Sequence, residues 1–197
     1  MHDERLDLSL NEVELLAAKA ARGAGLHWGA ADDLGRAARW LAANALDWAP
    51  PLLDLLASQH GAEAVARASE AADLIGRPSQ RTLTGPPLWV AALLAPVCAR
   101  KGCTAELTWP GARLYLGREN DALIDGTALP SGWAMQQTHV AFPAGEAPAN
   151  QLGGPSTRSL VTAQDWQALG RLAVLTYVPA SDHSRQAGAG ASLTDND

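Results

Sequence analysis

Thr104-Ala105-Glu106-Leu107-Thr108-Trp109-Pro110-Gly111-Ala112-Arg113-Leu114-Tyr115-Leu116 is the stretch that decides the fold. Apolar and polar residues alternate on both sides of Pro110-Gly111, which is the period of a strand with one buried face. Pro and Gly between two such runs are turn residues, so the segment predicts a β-hairpin. The chain before residue 77 has the other period, that of helices. A run of helices followed by a run of strands argues for an α+β fold with a small antiparallel sheet, not for alternating α/β.

Upstream of the hairpin, four helices are expected. Ser9-Leu10-Asn11-Glu12 has the form of a capping box, in which the Ser9 hydroxyl accepts from the Glu12 amide and the Glu12 carboxylate reaches back. Val13, Leu16, Ala17 and Ala20 then share one face, and Gly23 or Gly25 stops the helix. A second helix spans about 29–45 with Leu34, Ala37, Ala38 and Leu41 inward, and Asp32 and Arg36 four apart on its polar face. Pro50-Pro51 opens a short third helix, because proline suits a first turn. The fourth carries Val65, Ala68, Ala72 and Ile75, and Gly76 and Pro78 end it. Alanine-rich faces allow these helices to approach closely.

Around the hairpin, residues 88–100 form an apolar run of helical length with Pro96 as a kink or early stop. Residues 122–124 and 133–142 read as further strands, and 143–157 as a Pro/Gly/Asn loop. Thr162-Ala163-Gln164-Asp165 caps a last helix that ends near Pro179, with Trp166, Leu169, Leu172 and Ala173 inward. The expected organisation is a single domain over 1–197. It has a helical lobe at about 8–77, a sheet-containing lobe at about 85–180 and an ordered C-terminal tail at 181–197.

Composition narrows the function classes. Fifteen Lys plus Arg against 21 Asp plus Glu give a net charge of −6, and only Lys19 and Lys101 are lysines. With no basic patch, nucleic acid is not an expected partner. No run of eighteen apolar residues implies a membrane span. The start, MHDERLDLSL, lacks a basic region followed by an apolar one, so a cytoplasmic location is expected. Cys98 and Cys103 flank Lys101-Gly102 and read as reduced thiols, not as a zinc site. Seven Trp spread from Trp28 to Trp166 are expected as core or interface anchors with their indole N–H groups satisfied.

Two segments are candidates for chemistry. Gly23-Ala24-Gly25-Leu26-His27-Trp28-Gly29 is a glycine-rich turn between helices. It is either a helix C-cap with a tight connection or an amide cradle for an anion at the start of the second helix. It lacks the Gly-Lys-Ser/Thr of a phosphate loop and the preceding strand of a dinucleotide fingerprint. Ser184 to Asp197 reads SRQAGAGASLTDND, from which no core is built. It is either a frayed terminus or a loop docked against something polar.

Other polar groupings have simpler readings. Asp125-Gly126-Thr127 is a turn, and Met135 to His139 a solvated sheet face. Asp182-His183-Ser184-Arg185 is too contiguous for a catalytic triad. Asp195 and Asp197 would hold a hard cation only weakly, so no metal is assigned, and no cofactor follows.

The sharpest site combines both segments. Arg185 clamps a carboxylate or phosphate. Amides near Gly188 and Gly190, or Gly23 and Gly25, complete the cradle beside His27 and Trp28. Asp195 or Asp197 engages an amine or hydroxyl. That set suits a small polar metabolite resembling an amino acid or hydroxy acid, handled by an enzyme or enzyme subunit. The rival reading is a non-catalytic interaction subunit whose tail docks into a partner protein. A third is a homo-oligomer with crossing tails.

Leu8-Ser9-Leu10-Asn11-Glu12, Ala20 to Gly25, Trp28-Gly29, and the ending Ser184-Arg185, Gly188-Ala189-Gly190 and Asp195-Asn196-Asp197 resemble an uncharacterised family of small bacterial proteins, a domain of unknown function. The resemblance touches both ends of the chain and carries over no catalytic residue. It implies a bacterial cytoplasmic protein whose tail belongs to the fold.

Overall fold

The capping box sets the first helix. In the computed structural model, which describes residues 4–118 and 121–176, Ser9 Oγ accepts from the Glu12 amide at 3.3 Å and the Glu12 carboxylate accepts from the Ser9 amide at 2.7 Å. Helix α1 (Leu10–Gly23) follows and buries Val13, Ala17, Ala20 and Ala21. The last helix, α6 (Ala163–Val174), begins the same way, with Thr162 Oγ1 accepting from the Asp165 amide at 3.1 Å. It ends at Val174 and not near Pro179. There the Thr176 hydroxyl donates to the Ala173 carbonyl at 2.7 Å and closes the final turn.

Each of these caps ends a short strand that the periodicity does not reveal. Strand β1 (Arg5–Ser9) pairs antiparallel with strand β8 (Arg158–Thr162), Arg5 opposite Thr162 and Ser9 opposite Arg158. Two strand–cap–helix units thus lie side by side, and α1 packs against α6. Between them run α2 (Trp28–Ala43), α3 (Ala49–Ala57) and α4 (Gly61–Asp73), each where the apolar spacing expects a helix. Gly35 shows how tightly α1 and α2 meet: a β-carbon there would sit 2.8 Å from the Glu14 carbonyl oxygen.

The main sheet has six antiparallel strands in the order Ser79–Gly85, Gln136–Phe142, Ala105–Trp109, Ala112–Leu116, Ala122–Gly126 and Asn150–Gln151. The hairpin is β3 (Ala105–Trp109) and β4 (Ala112–Leu116), with Trp109 opposite Ala112. Gly111 takes φ +88°, a value that favours glycine in the turn. Strand β5 (Ala122–Gly126) continues the meander and pairs with the two-residue β7 (Asn150–Gln151) inside the expected loop. Strand β6 (Gln136–Phe142) starts three residues later than expected, because Ser131–Trp133 forms a 3-10 turn that seats Gly132 on Leu88. The Trp133 and Trp89 rings lie 6.4 Å apart there. Strand β2 (Ser79–Gly85) has mostly polar side chains, so its ladder with β6 defines it. The solvated-face reading of 135–139 holds for Gln137 and His139, whereas Thr138 points inward and is fully buried.

Helix α5 (Pro87–Lys101) joins the two halves. Leu88 to Ala95 and Cys98 are buried around its circumference, so it shows no polar stripe. It touches α2 and α4 on one side and β3, β4 and β6 on the other. The architecture is α+β, with N-terminal helices and an antiparallel sheet meeting on this central helix. The tail at 181–197 lies outside the described residues.

Candidate functional site

The turn between α1 and α2 is built from its own backbone bonds. The Gly25 amide donates to the Arg22 carbonyl at 3.0 Å and the Leu26 amide to the Ala21 carbonyl at 3.1 Å, the latter a bond that closes a helix over a left-handed residue. Gly25 supplies that residue at φ +97°. Gly23 has a different use: a β-carbon on it would fall 1.8 Å from the Leu172 oxygen, so its bareness lets α1 touch the backbone of α6. The cap-and-connection reading therefore accounts for both glycines. The amides of Ala24, Gly25 and Leu26 are engaged within the turn.

His27 and Trp28 also have defined places. His27 is the N-cap of α2, its Nδ1 accepting from the Ala30 amide at 3.3 Å. That bond puts the proton of the neutral ring on Nε2, which remains a donor at an exposed edge. The Trp28 side chain is 69% exposed and lies under the Arg22 guanidinium, 4.5 Å from the ring centroid. Arg22 in turn donates to the Leu26 carbonyl, so a cation–π contact and a backbone bond hold the corner together.

Beyond this corner, α2, α4 and α5 enclose a cleft of about 460 Å³. His27, Gly29 and Asp33 come from the start of α2, and Ser69, Glu70 and Asp73 from α4. Helix α5 supplies Leu93 and Val97 as an apolar wall and Arg100 and Lys101 at its end. Ser69 donates to Asp33 Oδ2 at 3.2 Å, while Oδ1 of the same carboxylate pairs with Arg36. Arg36 thus bonds Asp33, not the Asp32 that helical spacing also offers. Lys101 Nζ donates to the Ile75 carbonyl at 3.1 Å and caps the end of α4. The cleft gathers carboxylates from α2 and α4 with a guanidinium and apolar side chains from α5.

Of the expected site residues, Gly23, Gly25, His27 and Trp28 share one corner, and His27 alone of these borders the cleft. Arg185, Gly188, Gly190, Asp195 and Asp197 lie outside the described residues. Ser69, Glu70, Asp73 and Arg100 are residues that sequence reasoning missed. On a helix they carry the ordinary signal of a solvated face, and only the crossing of α2, α4 and α5 brings them together. Among the described residues no group of three or more His, Cys, Asp or Glu is arranged to hold a metal ion. Cys98 and Cys103 are free thiols, and burial pushes the Cys98 thiol up to about 12, with Cys103 nearby adding to the rise.

Residues 8–76, which run from the end of β1 to just past α4, match the model of a family described as a protein of unknown function, DUF3726. The expected resemblance to an uncharacterised family therefore holds over the helical half. The match includes the corner and the α2 and α4 walls of the cleft, and it assigns no activity. No curated protein and no solved structure matches the chain.

Proposed function

We propose that this protein binds a small polar metabolite, of the amino-acid or hydroxy-acid type, in the cleft between α2, α4 and α5, as an enzyme or enzyme subunit. The observation that carries this reading is that one cleft is lined by Asp33, Glu70 and Asp73, by Arg100, by the apolar Leu93 and Val97 and by His27. An ammonium group finds the carboxylates, a carboxylate finds the guanidinium, and a short side chain rests on Leu93 and Val97. Exposed charge pairs contribute only about 0.2–1 kcal/mol each, so weak binding, with a Kd on the order of 1 mM, is expected. The test is a thermal-shift screen of amino acids and hydroxy acids at about 10 mM, roughly ten times that Kd. A subset should raise Tm for the wild type and raise it measurably less in Arg100→Ala and Asp33→Asn. A screen in which no amino or hydroxy acid moves the wild-type Tm removes this reading.

A second reading is favoured by exposed apolar side chains around the same corner. Val174 and Leu175 are 59% and 69% exposed, just past the Leu172 that Gly23 touches, and the exposed Trp28 stacks under Arg22, the residue before that glycine. In that reading the corner and the tail, including Arg185, Gly188, Gly190, Asp195 and Asp197, form a docking element for a partner protein or for a second copy. Solution mass across a concentration series tests the homo-oligomer arm. A mass that stays monomeric at every concentration, in wild type and in Trp28→Ser alike, removes it.

A further inference from the structure

Helix α5 ends on Gly102, whose φ of +62° is left-handed. Two backbone bonds close the helix across it. The Gly102 amide donates to the Ala99 carbonyl at 3.2 Å, and the Cys103 amide donates to the Cys98 carbonyl at 3.0 Å. This pair of bonds is the Schellman motif, and Cys98 and Cys103 hold the two positions whose side chains commonly touch across it. A direct backbone bond holds two Cα atoms on the order of 5–6 Å apart, inside the roughly 4.4–6.8 Å that a disulfide spans. The two sulfurs also act on each other. Burial first, and the Cys103 charge second, push the Cys98 thiol up to about 12.

Their surroundings differ. Cys98 is fully buried, whereas Cys103 is half-buried and borders a cavity of about 250 Å³. Arg77, Arg118 and Phe142 line the same cavity. The Cys103 thiol donates to the Lys101 carbonyl at 3.4 Å. Gly76 stands near its sulfur, and even a β-carbon there would come no closer than 3.7 Å.

We propose that Cys98 and Cys103 are a redox pair: a hydroperoxide oxidises Cys103, and Cys98 then closes a disulfide that locks the end of α5. The Cys103 thiolate attacks one peroxide oxygen and the O–O bond breaks. The other oxygen takes a proton and leaves as water or an alcohol, and Cys103 becomes a sulfenic acid. A guanidinium in the cavity can donate to that leaving oxygen. The Cys98 sulfur then attacks the Cys103 sulfur. The S–S bond forms, the S–O bond breaks, and the hydroxyl leaves as water with the Cys98 proton. Two thiols have given two electrons to one peroxide bond. Near neutral pH a thiol at about 12 is thiolate in only about one molecule in 10⁵. Effective molarities of about 10⁵–10⁸ M for groups held in place offset that loss. The closed ring contains Arg100 and Lys101, which line the cleft between α2, α4 and α5. The redox pair does not depend on what that cleft binds.

The experiment exposes the full-length protein to excess hydrogen peroxide at neutral pH, blocks remaining thiols with iodoacetamide and maps tryptic peptides. Cleavage at Arg100 and Lys101 separates the two cysteines, so a disulfide between them joins two peptides. The expected result is that linked pair in a chain still monomeric on a non-reducing gel, at a rate independent of protein concentration and reversed by dithiothreitol. In Cys98→Ala the Cys103 peptide should instead take up dimedone and then gain about 32 Da as the sulfinic acid. Wild-type Cys103 that reaches the sulfinic acid while Cys98 still accepts iodoacetamide on unfolding would overturn the proposal, as would a linkage found only between chains. If Cys98→Ala does not fold, Cys103→Ser decides. Its Cys98 should stay reduced through the peroxide treatment, and oxidation of Cys98 at the wild-type rate would equally overturn the pair.

Discussion

The two ends of α2 show opposite relations between polar display and polar use. At its N-terminal corner the chain exhibits glycines, a histidine and an exposed tryptophan, and nearly all of their groups are already bonded within the fold. Farther along the same helix, Trp40 reads in sequence as one more core residue, yet its buried N–H has no acceptor, a lack shared by the Ser79 and Thr138 hydroxyls. Residue types that advertise a site are those that also cap and turn a chain. A buried donor left without an acceptor costs about 1–3 kcal/mol, and no residue type in the sequence announces it.

The largest expected effect tests whether the corner is structural. Gly23→Ala forces a β-carbon to within 1.8 Å of the Leu172 oxygen, which is backbone and cannot swing away. A loss of about 3 kcal/mol is expected in chemical denaturation, the upper end for overpacking. Gly25→Ala meets no atom within 4 Å and pays only for its left-handed φ, about 1 kcal/mol. Equal stability for the two variants would erase the distinction between a packing glycine and a turn glycine.

Asp33→Asn tests the cleft beside α2, since Asp33 borders it and also holds Arg36. Amino-acid affinity should fall about fivefold at most, equivalent to about 1 kcal/mol. Titration calorimetry with an amino acid that raises Tm reads the change, and an unaltered affinity would remove Asp33 from the groups that bind in the cleft.

A smaller effect belongs to the start of α1, where a cap is engaged in the way His27 is. Ser9→Ala should cost about 1 kcal/mol. The Ser9 amide and hydroxyl hold the Glu12 carboxyl below its ordinary value of 4.5. A carboxylate depressed in the folded state stabilises above its unfolded pKa and loses that contribution as pH falls through the lower, folded value. Stability should therefore decline below about pH 4.5, and less steeply in Ser9→Ala. The smallest effect concerns α5, which gives Val97 and Arg100 to the cleft and keeps Cys98 buried. Iodoacetamide at pH 8 should label the half-buried Cys103 and spare Cys98, as mass spectrometry would show. Rapid labelling of both thiols would mean that α5 parts from its neighbours.

Legibility follows the range of the interaction. Ser9 with Glu12, Thr162 with Asp165 and the Pro110-Gly111 hairpin lie within a few residues of their partners, and each stands where the sequence expects it. Strand β2 was hidden because Gln80, Arg81, Thr82 and Thr84 give it no apolar alternation, and its identity comes from β6. The cleft residues of α4 and α5 were hidden because a polar residue on a helix says only that water is near.

By itself the sequence determined the α+β class, the helix starts and the central hairpin, since caps, turns and hydrophobic periods act through neighbours along the chain. Tertiary structure alone decided that β1 pairs with β8, where Arg158 reaches Asp7 from 151 positions away. It also decided that α2, α4 and α5 enclose one cleft and that the buried Trp40 indole lacks an acceptor. Those properties depend on which distant surfaces meet, and a periodic pattern specifies the face that is buried without naming what buries it.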